Sequence, residues 1–103
     1  MLSGSLSAMV PSHGESFTEL ATMGSTRVEH IISSATPDPS LQVQHRDEWV
    51  LVLSGRAVLE IDASRLELAA GDWVLLEAGT PHRVLTTERG THWLAVHGAE
   101  RAR

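Results

Sequence analysis

The sequence contains no cysteine, so disulfides, thiolate metal sites and cysteine nucleophiles are all excluded. It has no apolar run approaching the ~20 residues that a membrane-spanning helix needs. Its opening residues carry no basic side chain ahead of the weakly apolar stretch, so they do not read as a signal peptide. Positive charge is also scarce: Lys and Arg total 8 against 13 Asp and Glu, a formal net charge of −5. A nucleic-acid binder needs a basic face to displace counterions from phosphates, and adhesion to anionic lipid needs one too. Neither nucleic acid nor membrane is therefore an expected partner, and a soluble cytoplasmic protein is the expectation. Serines are plentiful, but none sits in a G-x-S-x-G elbow, and no glycine-rich loop has the order that cradles phosphate. No segment holds a helical apolar period over ten or more residues.

What the chain does have is short apolar and β-branched runs separated by turn formers. Its 103 residues suffice for one domain, and 42% apolar content supports a single, shallow core. Residues 1–14 are rich in Ser and Gly, show no period and read as a flexible arm. The runs then cover 17–21, 27–33, 41–44, 48–53, 57–61, 65–68, 72–77, 82–86 and 91–96, an all-β rhythm. Gly, Pro and Asp punctuate them at Gly24, Pro37-Asp38-Pro39, Gly55, Asp62, Gly71, Gly79 and Gly90. Leu59/Ile61 and Leu66/Leu68 alternate with Glu60 and Glu67, giving strands with one buried and one wetter face. The runs 49–53 and 73–76 are continuously apolar and predict strands covered on both faces. The second cover would be another subunit, in a homodimer, or the N-terminal arm.

Two stretches carry a resemblance. Glu48 stands seven residues before the turn glycine Gly55, and Gly71-Asp72 precedes Gly79 and His82 at fixed spacing. They resemble the two signature motifs of the cupin superfamily, G-x5-H-x-H-x3or4-E-x6-G and G-x5-P-x-G-x2-H-x3-N. Glu77 replaces the proline and Thr86 the asparagine of the second motif. The phrases Val28-Glu29-His30-Ile31-Ile32-Ser33, Asp47-Glu48-Trp49-Val50-Leu51 and Trp93-Leu94-Ala95-Val96-His97 are similar to small single-domain bacterial cupins of the conserved-barrel type. The resemblance implies an all-β fold, a single double-stranded β-helix or jelly-roll barrel over 15–98, with a short tail at 99–103.

It also implies a site. In the family, two histidines and a glutamate of the first motif join the histidine of the second to hold one divalent metal, for which Fe, Mn, Zn or Ni would suit. Here Gln42 and Gln44, or Leu41 and Val43 in the alternative register, stand where the paired histidines would be. His45 is three residues before Glu48, the wrong parity for sharing a strand face unless a bulge intervenes. The candidate metal set is therefore Glu48 and His82 with His45, Gln44 or His97; the metal-free alternative is a buried Glu48–His82 hydrogen bond. Gln42, Val50, Val52, Leu59, Leu76, Val84 and His97 are the candidate pocket residues, His97 facing either the cavity or the wet rim. Glu48 and His82 are the candidate catalytic pair, base and acid respectively. The expected function is a barrel that binds a small molecule. The alternatives are a metal-free isomerase or lyase, a metal-dependent dioxygenase-like enzyme, or a non-catalytic sensing module. The three tryptophans read as packing residues, and Asp72 as the residue that fixes the turn after Gly71.

Overall fold

Strands form where the alternating and continuous apolar runs lie. In the computed structural model, which describes residues 1–101, the chain forms β1 (Glu15–Met23), β2 (Thr26–Ser33), β3 (Arg46–Ser54), β4 (Arg56–Ile61), β5 (Ser64–Ala69), β6 (Trp73–Leu76), β7 (His82–Thr87) and β8 (Thr91–Glu100). A five-stranded sheet has the order β1-β2-β8-β3-β6, and a three-stranded sheet the order β5-β4-β7. The strand pairings within both sheets are antiparallel, and the two sheets close an all-β jelly-roll barrel. No helix of the described residues is long and apolar enough to cross a membrane. Of the tail expected over 99–103, Ala102 and Arg103 lie outside the described residues.

Alternation decides what faces in. Val50 and Val52 from β3, Trp93 and Ala95 from β8, Ile31 from β2, Ala57 and Leu59 from β4 and Leu68 from β5 form one core cluster. Burying side chains of this size is the main term holding so small a domain together, at about 1.5–3 kcal/mol for each large one. The opposite face of β3 and β6 is different. Leu53, Trp73 and Leu75 stand exposed, with Trp73 at 61% and Leu75 at 48%, and the Trp49 and Trp73 rings lie 6.2 Å apart. The sequence expectation that 49–53 and 73–76 are covered on both faces is met on one face by the chain itself.

The expected strand over 41–44 does not form. Only Gln42 pairs, in an isolated bridge to His82: its N–H donates to the His82 carbonyl at 2.7 Å, and the His82 N–H donates back at 3.0 Å. Pro37 and Pro39 lack backbone donors, and Asp38 turns the chain by accepting the Ser40 N–H at 2.9 Å. The Gln44 carbonyl accepts the Gly79 N–H at 2.8 Å. A loop thus crosses from one sheet toward the other and borders the barrel interior.

Candidate functional site

The residues that matter follow from strand parity. Glu48 shares the inward face of β3 with Val50 and Val52, and His97 shares that of β8 with Trp93 and Ala95. The register sets Glu48 opposite His97 and Val52 opposite Trp93. β2 adds Glu29, Ile31 and Ser33 by the same alternation, and Glu15 of β1 pairs with Ser33. From the other sheet, Leu59, His82 and Val84 face them. One part of the interior is filled by the core, and the rest holds a cavity of about 510 Å³.

Glu48, His82, Gln42, Gln44, Val50, Leu59, Leu76 and Val84 all border this cavity, together with Glu15, His13, Asp38 and Trp93. Val52 lies in the packed core instead. His97 is buried, neither on the wall nor at a wet rim; it stands behind Glu48. His45 is exposed and does not border the cavity. Asp47 points away from Glu48, and its Oδ1 accepts the Ala78 N–H at 2.8 Å. Asp72 accepts the Ala69 N–H at 2.9 Å and so fixes its turn.

Glu48 is only 7% exposed. Burial pushes its carboxyl above the ordinary carboxylate range; the His97 and His82 imidazoles pull it back, Glu29 pushes it up further, and a hydrogen bond from Gln44 lowers it. His97 Nε2 lies 3.1 Å from Glu29 Oε1 and 3.8 Å from Glu48 Oε2, so His97 sits between two acids. Glu15 is shifted upward too, chiefly by burial. The Ser33 hydroxyl opposes that shift, and the nearby Glu48, Asp38 and Glu29 add to it. Ser33 Oγ donates to Glu15 Oε2 at 2.5 Å and accepts the Trp93 indole N–H at 2.9 Å.

His82, 8% exposed, reaches the cavity from the opposite sheet. Its Nδ1 lies 3.1 Å from the Thr80 carbonyl, which can only accept. The neutral ring therefore carries its proton on Nδ1 and presents the Nε2 lone pair. Nε2 has no hydrogen-bond partner among the described residues. The anticipated Glu48–His82 hydrogen bond is not formed: the two come from opposite sheets with the cavity between them, and their influence on each other is electrostatic.

The sets that would complete Glu48 and His82 with His45 or His97 do not assemble. Among the described residues no three His, Asp or Glu side chains converge to hold an ion. Gln44 is engaged with Glu48, Gln42 Nε2 donates to the Ser40 carbonyl at 3.4 Å, and His97 Nε2 is engaged with Glu29. Outside the cavity, His30 Nε2 and His92 Nδ1 lie 2.9 Å apart on the far side of β2 from Ile31. Burial, then the neighbouring His92, pushes the His30 imidazole below its ordinary value. Sequence reading gave no site role to Glu15, Glu29 and Asp38. The alternation Glu29-x-Ile31-x-Ser33 was the available signal for Glu29, because it places that carboxylate on the core face.

Comparisons with known proteins agree with this architecture. The Cupin_2 family model, a cupin domain, matches residues 29–97. A solved structure from Ralstonia eutropha JMP134, whose name proposes mannose-6-phosphate isomerase activity, is 37% identical; the match spans 94% of this chain and 97% of that one, with a TM-score of 0.79. KdgF from Halomonas sp. is 15% identical over 85% of this chain and 81% of its own, with a TM-score of 0.78. An RmlC-like cupin from Shewanella frigidimarina NCIMB 400 is 14% identical over 94% and 90%, with a TM-score of 0.77. The last two show a shared fold only. No curated protein matches the sequence.

Proposed function

Because the chain belongs to the cupin family, we propose that its barrel binds a small molecule in the cavity between the sheets and that Glu48 and His82 exchange protons with it. One observation carries the reading: a buried carboxyl and an imidazole with an unpartnered Nε2 border one cavity from opposite sheets, and burial raises the carboxyl's affinity for its proton. Glu48 is then the acid and His82 the base, the reverse of the roles suggested by sequence. A pair so placed can take a proton from one atom of a bound molecule and return one to another, which is isomerase- or lyase-type chemistry. The Ralstonia protein, at 37% identity, has a name that proposes an isomerase, and this supports the class of reaction. Val50, Leu59, Leu76 and Val84 supply the apolar part of the wall.

A second copy of the chain is part of the same reading. Trp73, Leu75 and Leu53 make an exposed apolar patch on the outer face of β3 and β6, suited to a homodimer contact.

The acid–base pair is tested by NMR. Nitrogen shifts of His82 are expected to report the Nδ1–H tautomer. Replacing the ring, His82→Asn, removes a positive influence and should raise the titration midpoint of the Glu48 side-chain carbon. An Nε2–H tautomer, or a Glu48 midpoint indifferent to the substitution, would refute the pairing.

A further inference from the structure

The charge on the cavity wall narrows the ligand, an argument that rests on the cavity being the binding site. The chain has no lysine; its cationic side chains are all arginines. Arg83 is the one arginine among the cavity-bordering residues. Its parity turns it outward: His82 and Val84 face in, whereas Arg83 pairs with Glu60, and its Nε lies 3.0 Å from Glu60 Oε1. The ion pair with Glu60 thus offsets its charge, while the buried Nε makes no hydrogen bond.

Backbone donors do not replace it. None of the described residues is helical, so no helix N-terminus points at the cavity. Gly14 is the glycine on the wall, and its N–H is already bonded to the Thr36 carbonyl at 2.8 Å. Opposed to any anion are the carboxyls of Glu15, Asp38 and Glu48 on the wall, with Glu29 behind them. When ionised they repel it; when protonated each supplies one neutral O–H. An anion needs paired cations or several converging donors to leave water. Besides Arg83 this wall has His82, His13, Ser40, Gln42 and Gln44; His13 lies within 3.2 Å of Thr36 Oγ1, and the Ser40 hydroxyl and the two amides already face Asp38, the Ser40 carbonyl and Glu48.

The wall is well suited to the opposite kind of molecule. Carboxyl oxygens of Glu15, Asp38 and Glu48 and the open His82 Nε2 are acceptors, set among Val50, Leu59, Leu76 and Ile31. The volume, about 510 Å³, is within the ordinary range for small-molecule sites. We infer that the cavity takes a donor-rich small molecule, bearing hydroxyl or amine groups and no phosphate or carboxylate, and discriminates against sugar phosphates.

Three matched probes decide the matter: glucosamine, glucose and glucose 6-phosphate, titrated at pH 7.5 and low salt. The readout is the Trp93 indole N–H signal, because that ring borders the cavity. Glucosamine should bind at least as well as glucose, and glucose 6-phosphate at least about tenfold more weakly than either, because its charge meets the carboxyls of Glu15, Asp38 and Glu48 and a single guanidinium whose charge Glu60 already offsets. Glu15→Gln should narrow the gap between glucose and its phosphate. Equal binding of all three, or tightest binding of the phosphate with a Trp93 shift, overturns the charge inference and leaves the cavity as the binding site. No Trp93 shift with any probe overturns the inference along with the cavity reading beneath it. The wild-type comparison is decisive by itself should Glu15→Gln fail to fold.

Discussion

Adding one methyl group at Gly55 should destabilise this protein far more than adding one at Gly71. Both glycines have positive φ, 94° and 91°, so alanine at either position costs about 1–2 kcal/mol in backbone conformation alone. Their surroundings differ. Around Gly71 nothing lies within 4 Å of an added Cβ, whereas at Gly55 it would fall 2.3 Å from Thr91 Oγ1 and 2.8 Å from Thr91 Cα. Thr91 has little freedom to give way. It is fully buried, its hydroxyl lies 2.7 Å from the Glu88 carbonyl, and it accepts the Arg56 N–H at 3.2 Å. Moving the Cα means moving β8 itself. Overpacking of this kind adds about 1–3 kcal/mol, so Gly55→Ala should lose about 2–5 kcal/mol in total. Against the roughly 5–15 kcal/mol of an ordinary domain, that is a large fraction. The assay is urea unfolding of wild type, Gly55→Ala and Gly71→Ala by circular dichroism. The difference between the variants isolates the Thr91 clash, at about 1–3 kcal/mol. If Gly55→Ala lost no more than Gly71→Ala, the close approach of the β3–β4 turn to β8 would be wrong, and with it the account of why this glycine closes the Glu48 motif.

Two further outcomes follow from the structure. Glu15 and Glu48 hold their protons more tightly folded than unfolded, so the folded state gains stability as pH falls toward the ordinary carboxylate range near 4.5 and loses it as pH rises through their elevated values. The double variant Glu15→Gln/Glu48→Gln should therefore melt above wild type at pH 7.5, with the gap shrinking toward pH 5; a gap that widens on acidification refutes the shifts. His30, whose ionisation is displaced the opposite way, affects both proteins alike and cancels in the comparison. For the outer apolar patch, sedimentation of the wild type should show a dimer that Trp73→Glu dissociates, and a monomeric wild type would remove the homodimer from the proposal.

Spacing carried much of the fold. Glu48 seven residues before Gly55, and Gly71, Gly79 and His82 in order, led to a barrel through their resemblance to the two cupin motifs, and the glycines do mark reversals between antiparallel strands. Continuous runs were read less well. The 49–53 segment is apolar on both sides, yet only Val50 and Val52 enter the core; composition cannot distinguish a face awaiting a partner from one already covered. The loop over 34–45 shows a similar limit, because alternation at Leu41 and Val43 resembles a strand while its β-bridge is an isolated one at Gln42.

The site was harder to read because it is made by register, which a local pattern does not encode. His97 is 49 positions from Glu48 in sequence, yet β3 and β8 set the two directly opposite, and β2 brings Glu29 to the same imidazole. Glu15 enters through β1 and its serine–tryptophan chain, far from either motif. Consequently the two motifs supply Glu48 and His82, and residues outside them, Glu15, Glu29 and Asp38, add to the charge around the cavity. Relatives that keep Glu48 and His82 but differ at positions 15, 29 and 38 would share the proton-handling pair and differ in the ligands they admit. On the proposed reading, ligand choice in this barrel is carried by residues that a motif search does not weigh.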